Sequence, residues 1–258
     1  MNKQKQNYEN KVYIITAAGG NATAIKVLME KRDCSYYALN GSDLIKKNEA
    51  KEVEQAGFLI ISQNYFEMSG GEFCGNAARA AALLLSKINQ KAKVEFNMSG
   101  FNGLVNAKVK KLSEADYEVN CFFPNMKPII KELSLNQLAT LVDLGGIVHV
   151  VIESDFPESD FKERHLAISK SLNLLNREAV GVIWVKRDKT KIRINPVVWV
   201  KEINSFFYES SCGSGSIAVA CVMKNKKIIQ PSGGIIEVRI NDQGINLKSR
   251  MEVKNETN

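Results

Sequence analysis

Glu72-Phe73-Cys74-Gly75-Asn76-Ala77-Ala78-Arg79-Ala80-Ala81-Ala82 and Glu209-Ser210-Ser211-Cys212-Gly213-Ser214-Gly215-Ser216-Ile217-Ala218-Val219-Ala220 are two statements of one pattern, their cysteines 138 residues apart. In each, a cysteine is followed by glycine and small polar residues and then by an alanine-rich apolar run. The run is short and made of strong helix formers, so each cysteine is predicted to sit at a helix N-terminus. Unpaired N–H groups and the positive dipole end lower a thiol's pKa there and attract an anion. Two such ends facing one another would make a carboxylate-binding pocket walled by two thiols.

Around these runs each half mixes strands with a few helices. Residues 12–16, 58–62, 93–97 and 116–120 are β-branched and aromatic and read as strands. The helix headed by Cys74 should run to about Ser86. Pro124 and Pro128 interrupt the pattern and place a boundary, giving an N-terminal domain of residues 1–124 with Cys74 and a C-terminal domain of residues 125–258 with Cys212. Beyond it, residues 135–144, with Ser134 as N-cap, and residues 161–175 show helical spacing, and residues 147–152 read as a buried strand. Hairpins are expected at residues 180–200, turning at 187–190, and at 235–247, turning at 241–244. Residues 251–258 read as a charged, frayed tail. The class is α/β (α+β), each half a sheet carrying a cysteine-headed helix.

With 258 residues, 45% of them apolar, the chain can bury a full core. The net charge of +7 comes from lysines scattered through surface-like stretches without interleaved aromatics, which excludes a nucleic-acid footprint. No apolar leader opens the chain and no apolar stretch is long enough to span a bilayer, so a cytoplasmic location with no membrane partner is expected. Five cysteines without C-x-x-C spacing argue against a disulfide framework or a zinc site and for reduced thiols. Cys34, Cys121 and Cys221 read as small core residues, His149 as a hydrogen-bonded core histidine, and His165, among Lys162, Glu163 and Arg164, as exposed.

Two thiols at facing helix ends suit one chemistry in particular. The Cα–H of an amino acid becomes acidic enough to lose its proton when aimed N–H groups stabilise the charge that develops on the carboxylate. A thiolate on one face removes that proton and a thiol on the other returns one, inverting the centre.

The residues also carry a resemblance. Cys74-Gly75-Asn76-Ala77-Ala78-Arg79 resembles the Cys-Gly-Asn-Gly-Ala-Arg motif of the diaminopimelate epimerase family, and Cys212-Gly213-Ser214-Gly215 its second-half Cys-Gly-Thr/Ser-Gly motif. Gly20-Asn21, Gly146-Ile147-Val148-His149 and Gln230-Pro231-Ser232-Gly233-Gly234 match further family elements in order and spacing. The resemblance implies two pseudo-symmetric domains, each a mixed or antiparallel sheet wrapped around a central helix, with the active site between them. It implies a racemase or epimerase that needs no pyridoxal phosphate or other cofactor and no metal. Cys74 and Cys212 would be the acid/base pair, the N–H groups of Gly75, Asn76, Gly213 and Ser214 would hold the α-carboxylate, and Asn21 would lie near the substrate.

The departures bear on the substrate. Where the family grips a second amino-acid centre with an Asn-Ala-Asp-Gly-Ser segment, this chain has Glu67-Met68-Ser69-Gly70-Gly71, and the arginine expected before the second cysteine is absent from Glu202-Ile203-Asn204-Ser205-Phe206-Phe207-Tyr208-Glu209. Each lost charged bond removes roughly 1.5–3 kcal/mol, so diaminopimelate should bind poorly. The altered segments are similar to the histidine racemase branch of the family, known from opine metallophore biosynthesis, which makes histidine the first candidate. Glu72, Glu202 and Glu209 are then the carboxylates that would hold the ammonium or imidazole, the choice between Glu202 and Glu209 resting on how the segment between them aligns. A diaminopimelate epimerase with diverged distal contacts is the alternative enzyme. A thiol-based redox or metal-binding protein using Cys74, Cys212 and His149 is the alternative of another class. The residues admit a homodimer without deciding it.

Overall fold

The computed structural model describes residues 6–134, 138–202 and 204–257. In chain order its elements are β1 (Val12–Ala17), β2 (Gly20–Leu28), α1 (Cys34–Lys47), β3 (Val53–Ile60), β4 (Tyr65–Met68), α2 (Gly75–Asn89), β5 (Lys93–Met98), β6 (Phe101–Lys111), β7 (Asp116–Pro124), β8 (Ile129–Ser134), β9 (Leu138–Asp143), β10 (Val148–Glu153), α3 (Phe161–Ser171), β11 (Ala179–Asp188), β12 (Lys191–Val200), β13 (Ser205–Tyr208), α4 (Gly213–Met223), β14 (Lys227–Ile229), β15 (Ile235–Asn241) and β16 (Gly244–Thr257). The fold is mixed α/β with the sheet dominant.

The strands pair in the order β1 to β7, then β16, and β16 returns to pair with β1, closing a barrel. Alternation dictates the walls: β7 reads buried at Tyr117, Val119, Cys121 and Phe123 with half-buried residues between. Helix α2 fills the interior. Its alanines and leucines are buried on every side, as befits a helix apolar all round, and it touches each strand of the ring. From β16 the sheet continues through β15, β14, β12, β11, β10 and β9 to β8, and α4 lies against β9, β10, β11, β14, β15 and β16. β11 is buried from Ala179 to Val185 because α4 covers one face while Trp184, Val180 and Val182 meet Phe161 and Ile168 of α3 on the other. α1, capped by Asp33 accepting from the Tyr36 N–H at 2.8 Å, covers the outer face of β2 and β3 through Tyr37 and Leu44. No described helix is long and apolar enough to cross a membrane.

Both expected hairpins form, with two residues between Asp188 and Lys191 and between Asn241 and Gly244. Three expectations are corrected. Residues 138–143 are strand β9, paired with β8 and β10, rather than helix; Leu138, Leu141 and Val142 fit either period, and pairing on both sides settled it. Residues 135–137 of that expected helix lie outside the described ones. Residues 251–257 of the expected frayed tail are the end of β16, paired with β1 and with Met251 buried, and residue 258 lies outside the described ones. His165 is fully buried on the sheet-facing side of α3, its Nε2 3.0 Å from the Val180 carbonyl and its Nδ1 3.3 Å from Ser169 Oγ. Two core readings also change. Cys34 is exposed at the start of α1. His149 is buried against Gly181 with neither ring nitrogen hydrogen-bonded, and burial lowers its pKa to about 3.

The two buried helices meet end to end. A Cβ built on Gly213 would lie 2.8 Å from Asn76 N and 2.8 Å from the Gly75 carbonyl carbon, and one on Gly75 would lie 3.0 Å from the Gly213 carbonyl carbon. Backbone cannot yield as a flexible side chain does, so only glycine at both places lets the helix ends touch. Gly213→Ala is expected to destabilise the protein by roughly 1–3 kcal/mol through overpacking, read as a lowered denaturation midpoint in urea. An unchanged midpoint would mean that the ends are not held in contact.

Candidate active site

Each helix begins on its cysteine. Cys74 and Cys212 are N-caps with extended φ of −126° and −133°, and their sulfurs accept from Ala77 N at 3.4 Å and from Gly215 N at 3.3 Å. The N–H groups of Gly75, Asn76, Gly213 and Ser214 belong to the first turns, where no helical carbonyl precedes them. Because the ends abut, these donors converge on one place.

The segment before Cys212 is tied to the first half of the chain. Ser211 O accepts from Asn76 Nδ2 at 2.7 Å and from Asn21 Nδ2 at 2.9 Å, and Asn21 N donates to Ser210 Oγ at 2.7 Å. The Asn76 side chain is thus occupied in joining the halves, and of the first-turn residues Gly213 and Ser214 line the cavity. Asn21 stands at φ +49° on the rim of an outer cleft, one residue layer from Cys212. Gln230 completes the frame: its Oε1 accepts from Cys212 N at 2.8 Å and its Nε2 donates to Ser216 Oγ at 2.9 Å.

Between the helix ends and β3 lies a cavity lined by Glu54, Gln55, Glu72, Cys74, Glu209 and Ser214, among others. Gln55 links the two sides: its Oε1 accepts from Cys74 Sγ at 3.0 Å and its Nε2 donates to Glu209 Oε1 at 2.9 Å. Glu209 also lies close enough to Cys212 to add to burial in raising that thiol's pKa, while Cys212 Sγ stands 3.7 Å from Ser214 Oγ. One carboxyl therefore acts on both thiols and is joined to Cys74 through one amide. Glu72 is buried with Oε2 unpartnered. Glu202 is exposed in the turn after β12, so the structure brings Glu72 and Glu209 to the thiols and leaves Glu202 outside. Gln55 and Glu54 escaped the sequence reading; their signal is two polar residues at the head of an otherwise apolar strand.

Burial controls the electrostatics. Desolvation, with the neighbouring Glu209, pushes the Cys74 thiol up to about 12 and Cys212 well above its ordinary value, the reverse of the lowering expected from the helix ends alone. Burial likewise raises Glu209 to about 8 and Glu54 and Glu72 to about 7. Arg79, fully buried in the first turns of α2, donates through Nε to Gly75 O at 3.1 Å and through its other nitrogens to Asn76 and Ser249. Among the described residues no carboxylate pairs with it, and burial lowers its pKa to about 10. Its charge is within electrostatic reach of Cys121, Cys74 and Cys212. All five cysteines are free, and among the described residues no three His, Cys, Asp or Glu side chains gather to hold a metal.

Comparison with known proteins places this chain in a family. Residues 4–256 match the family described as histidine racemase CntK N-terminal domain. A histidine racemase from Fusobacterium nucleatum subsp. nucleatum is 29% identical over 218 residues, 78% of this chain and 80% of that protein. One from Staphylococcus aureus is 24% identical over 236 residues, 84% of each. A predicted epimerase from Pseudomonas aeruginosa has a similar fold, with a TM-score of 0.64 at 9% identity over 96% of this chain and 98% of that one. Since the family match spans both cysteine-headed helices, the chain belongs to the histidine racemase CntK N-terminal domain family and is an isomerase.

Proposed function

We propose that this protein is a cofactor-independent amino-acid racemase that inverts Cα of histidine by a two-base thiol/thiolate mechanism. The observation that carries the reading is the meeting of two cysteine-capped helix ends at one cavity. The substrate carboxylate takes the N–H groups of Gly75, Asn76, Gly213 and Ser214, where dipoles and the Arg79 charge stabilise the negative charge that grows as Cα loses its proton. Glu209 accepts the Cys212 proton, the resulting thiolate takes the Cα proton, and Cys74, held as a thiol by Gln55, delivers its own proton to the opposite face. The products are a Cys212 thiol and a Cys74 thiolate, ready for the reverse direction. Glu72, two residues before Cys74, holds the α-ammonium.

The substrate assignment rests on the family and on charge. Among the described residues the cavity wall carries Glu54, Glu72 and Glu209 and neither lysine nor arginine, so the second carboxylate of diaminopimelate would meet only like charge. The cavity has a volume of about 20 Å³, room for about one water. Histidine therefore enters by parting the walls. We read residues 1–124 and 125–258 as a pseudo-symmetric pair, each with its cysteine-headed helix, except that β16 of the second range closes the barrel of the first and so stays with it. A cytoplasmic site, where thiols stay reduced, fits the free cysteines.

In D₂O without added pyridoxal phosphate, L-histidine should acquire deuterium at Cα and D-histidine should accumulate, followed by mass spectrometry and chiral chromatography. Cys74→Ser and Cys212→Ser should each slow this by roughly 10²–10⁴-fold; full activity in either variant removes the two-base mechanism. Because Glu209 must be ionised to accept a proton, kcat/KM should rise with pH as its proton leaves near 8. Histidine's own titrations are common to both enzymes, so the difference between the profiles of wild type and Glu209→Gln isolates this group. Profiles of identical shape would remove Glu209 as the acceptor.

A further inference from the structure

β3 departs from its partner at one residue. Against β2, Ala22 pairs with Val53 and Thr23 with Gln55, so Glu54 is the extra residue of a β-bulge. In a regular strand Glu54 and Gln55 would point to opposite faces; the bulge lets both reach the cavity. Gln55 is committed to Cys74 and Glu209. Glu54 Oε1 accepts from Ser210 Oγ at 3.1 Å, and its Oε2 is buried with no partner.

The carboxylate oxygens around the cavity then sort by what they hold. Glu209 is occupied by Gln55 and lies beside the Cys212 thiol. Glu72 Oε2 and Glu54 Oε2 are buried and unpartnered. A buried acceptor left unmade costs about 1–3 kcal/mol, so two of them facing one cavity indicate two donors brought by a ligand. An α-ammonium carries three N–H donors but is one group held at the reacting centre, so a carboxylate set apart from that centre takes its donor from the side chain. Position separates the two roles. Glu72 precedes Cys74 by two residues and stays with the reacting centre, whereas Glu54 lines both the inner cavity and an outer cleft of about 700 Å³ that Lys51 and Tyr208 border. The inner cavity has no room for a side chain, and the wall shared with the cleft is where room exists.

We propose that Glu54 is the specificity-determining residue of this racemase, receiving a nitrogen of the substrate side chain and selecting amino acids whose side chain carries a hydrogen-bond-donating or cationic nitrogen. The assignment rests on the racemase reading above and extends it to a residue outside the thiol machinery. Loss of the carboxylate weakens binding of such substrates and leaves substrates without the nitrogen as they were. Glu72→Gln, by contrast, weakens every amino acid alike.

The test compares wild type, Glu54→Gln and Glu54→Asp on L-histidine and on L-2-thienylalanine, whose ring is similar in size but has no N–H. Cα deuteration gives KM and kcat, and competition against histidine gives Ki for an analogue bound but not turned over. Glu54→Gln should raise the histidine KM roughly 10- to 100-fold with little change in kcat, as expected for one charged hydrogen bond, and leave the thienylalanine constant unchanged. Glu54→Asp, which keeps the charge one methylene back, should recover part of the histidine affinity. Should Glu54→Gln fail to fold, as its melting curve would show, Glu54→Asp carries the same comparison with a smaller loss confined to histidine. An unaltered histidine KM, or equal losses for both ligands, overturns the assignment of Glu54 alone. A wild-type enzyme that deuterates no amino acid overturns the racemase reading, and this proposal with it.

Discussion

Two helix N-termini pressed together are an unfavourable arrangement, and the architecture of this protein is organised to hold it. Each end carries about half a positive charge, so α2 and α4 repel where Gly75 and Gly213 touch. The closed barrel grips α2 on all sides, the long strand β16 carries the sheet on to the wall around α4, and Asn21 and Asn76 fasten the residue before Cys212 to the first half. What results is a point of concentrated positive potential with Arg79 buried behind it and, among the described residues, no carboxylate paired to that charge. An anion placed there relieves the repulsion. The substrate carboxylate and a transient thiolate are the anions the proposed reaction brings.

The opposite wall has the opposite character, and the balance of magnitudes explains the resting state. A helix dipole contributes at most about 2 kcal/mol, near 1.5 pKa units, whereas full burial shifts a group by up to about 3–5 units. Desolvation therefore wins at both cysteines, which rest as thiols, and at the three carboxyls, which are pushed toward neutrality where they crowd one another. A zwitterion suits such a site better than water does: its carboxylate meets the helix ends and its ammonium meets the acidic wall. In the proposed mechanism that charge separation makes ionising a thiol feasible, so binding and activation are one event.

Much of the site was legible because its parts are local. A cysteine followed by glycine and an alanine-rich run specifies a capped helix within one stretch of chain, and it did so at both Cys74 and Cys212. The two hairpins were legible for the same reason. Glu54 was not, since the bulge that aims it exists only in the register between β2 and β3. Nor was the choice of Glu209 over Glu202, which depends on where β13 ends and the cap of α4 begins. His165 sits among charged residues in the chain, yet the face of α3 it occupies is the one turned to β11 and β12.

The amino-acid sequence by itself determined the two cysteine-capped helices, the free thiols, the family and the kind of chemistry, because helix formers, caps and motif residues act within a few positions of one another. Tertiary structure alone decided that the helix ends meet, that burial raises the thiols instead of lowering them, and which carboxylates surround them. Those outcomes follow from desolvation and from contacts between residues more than a hundred positions apart, and neither can be read from neighbours along the chain.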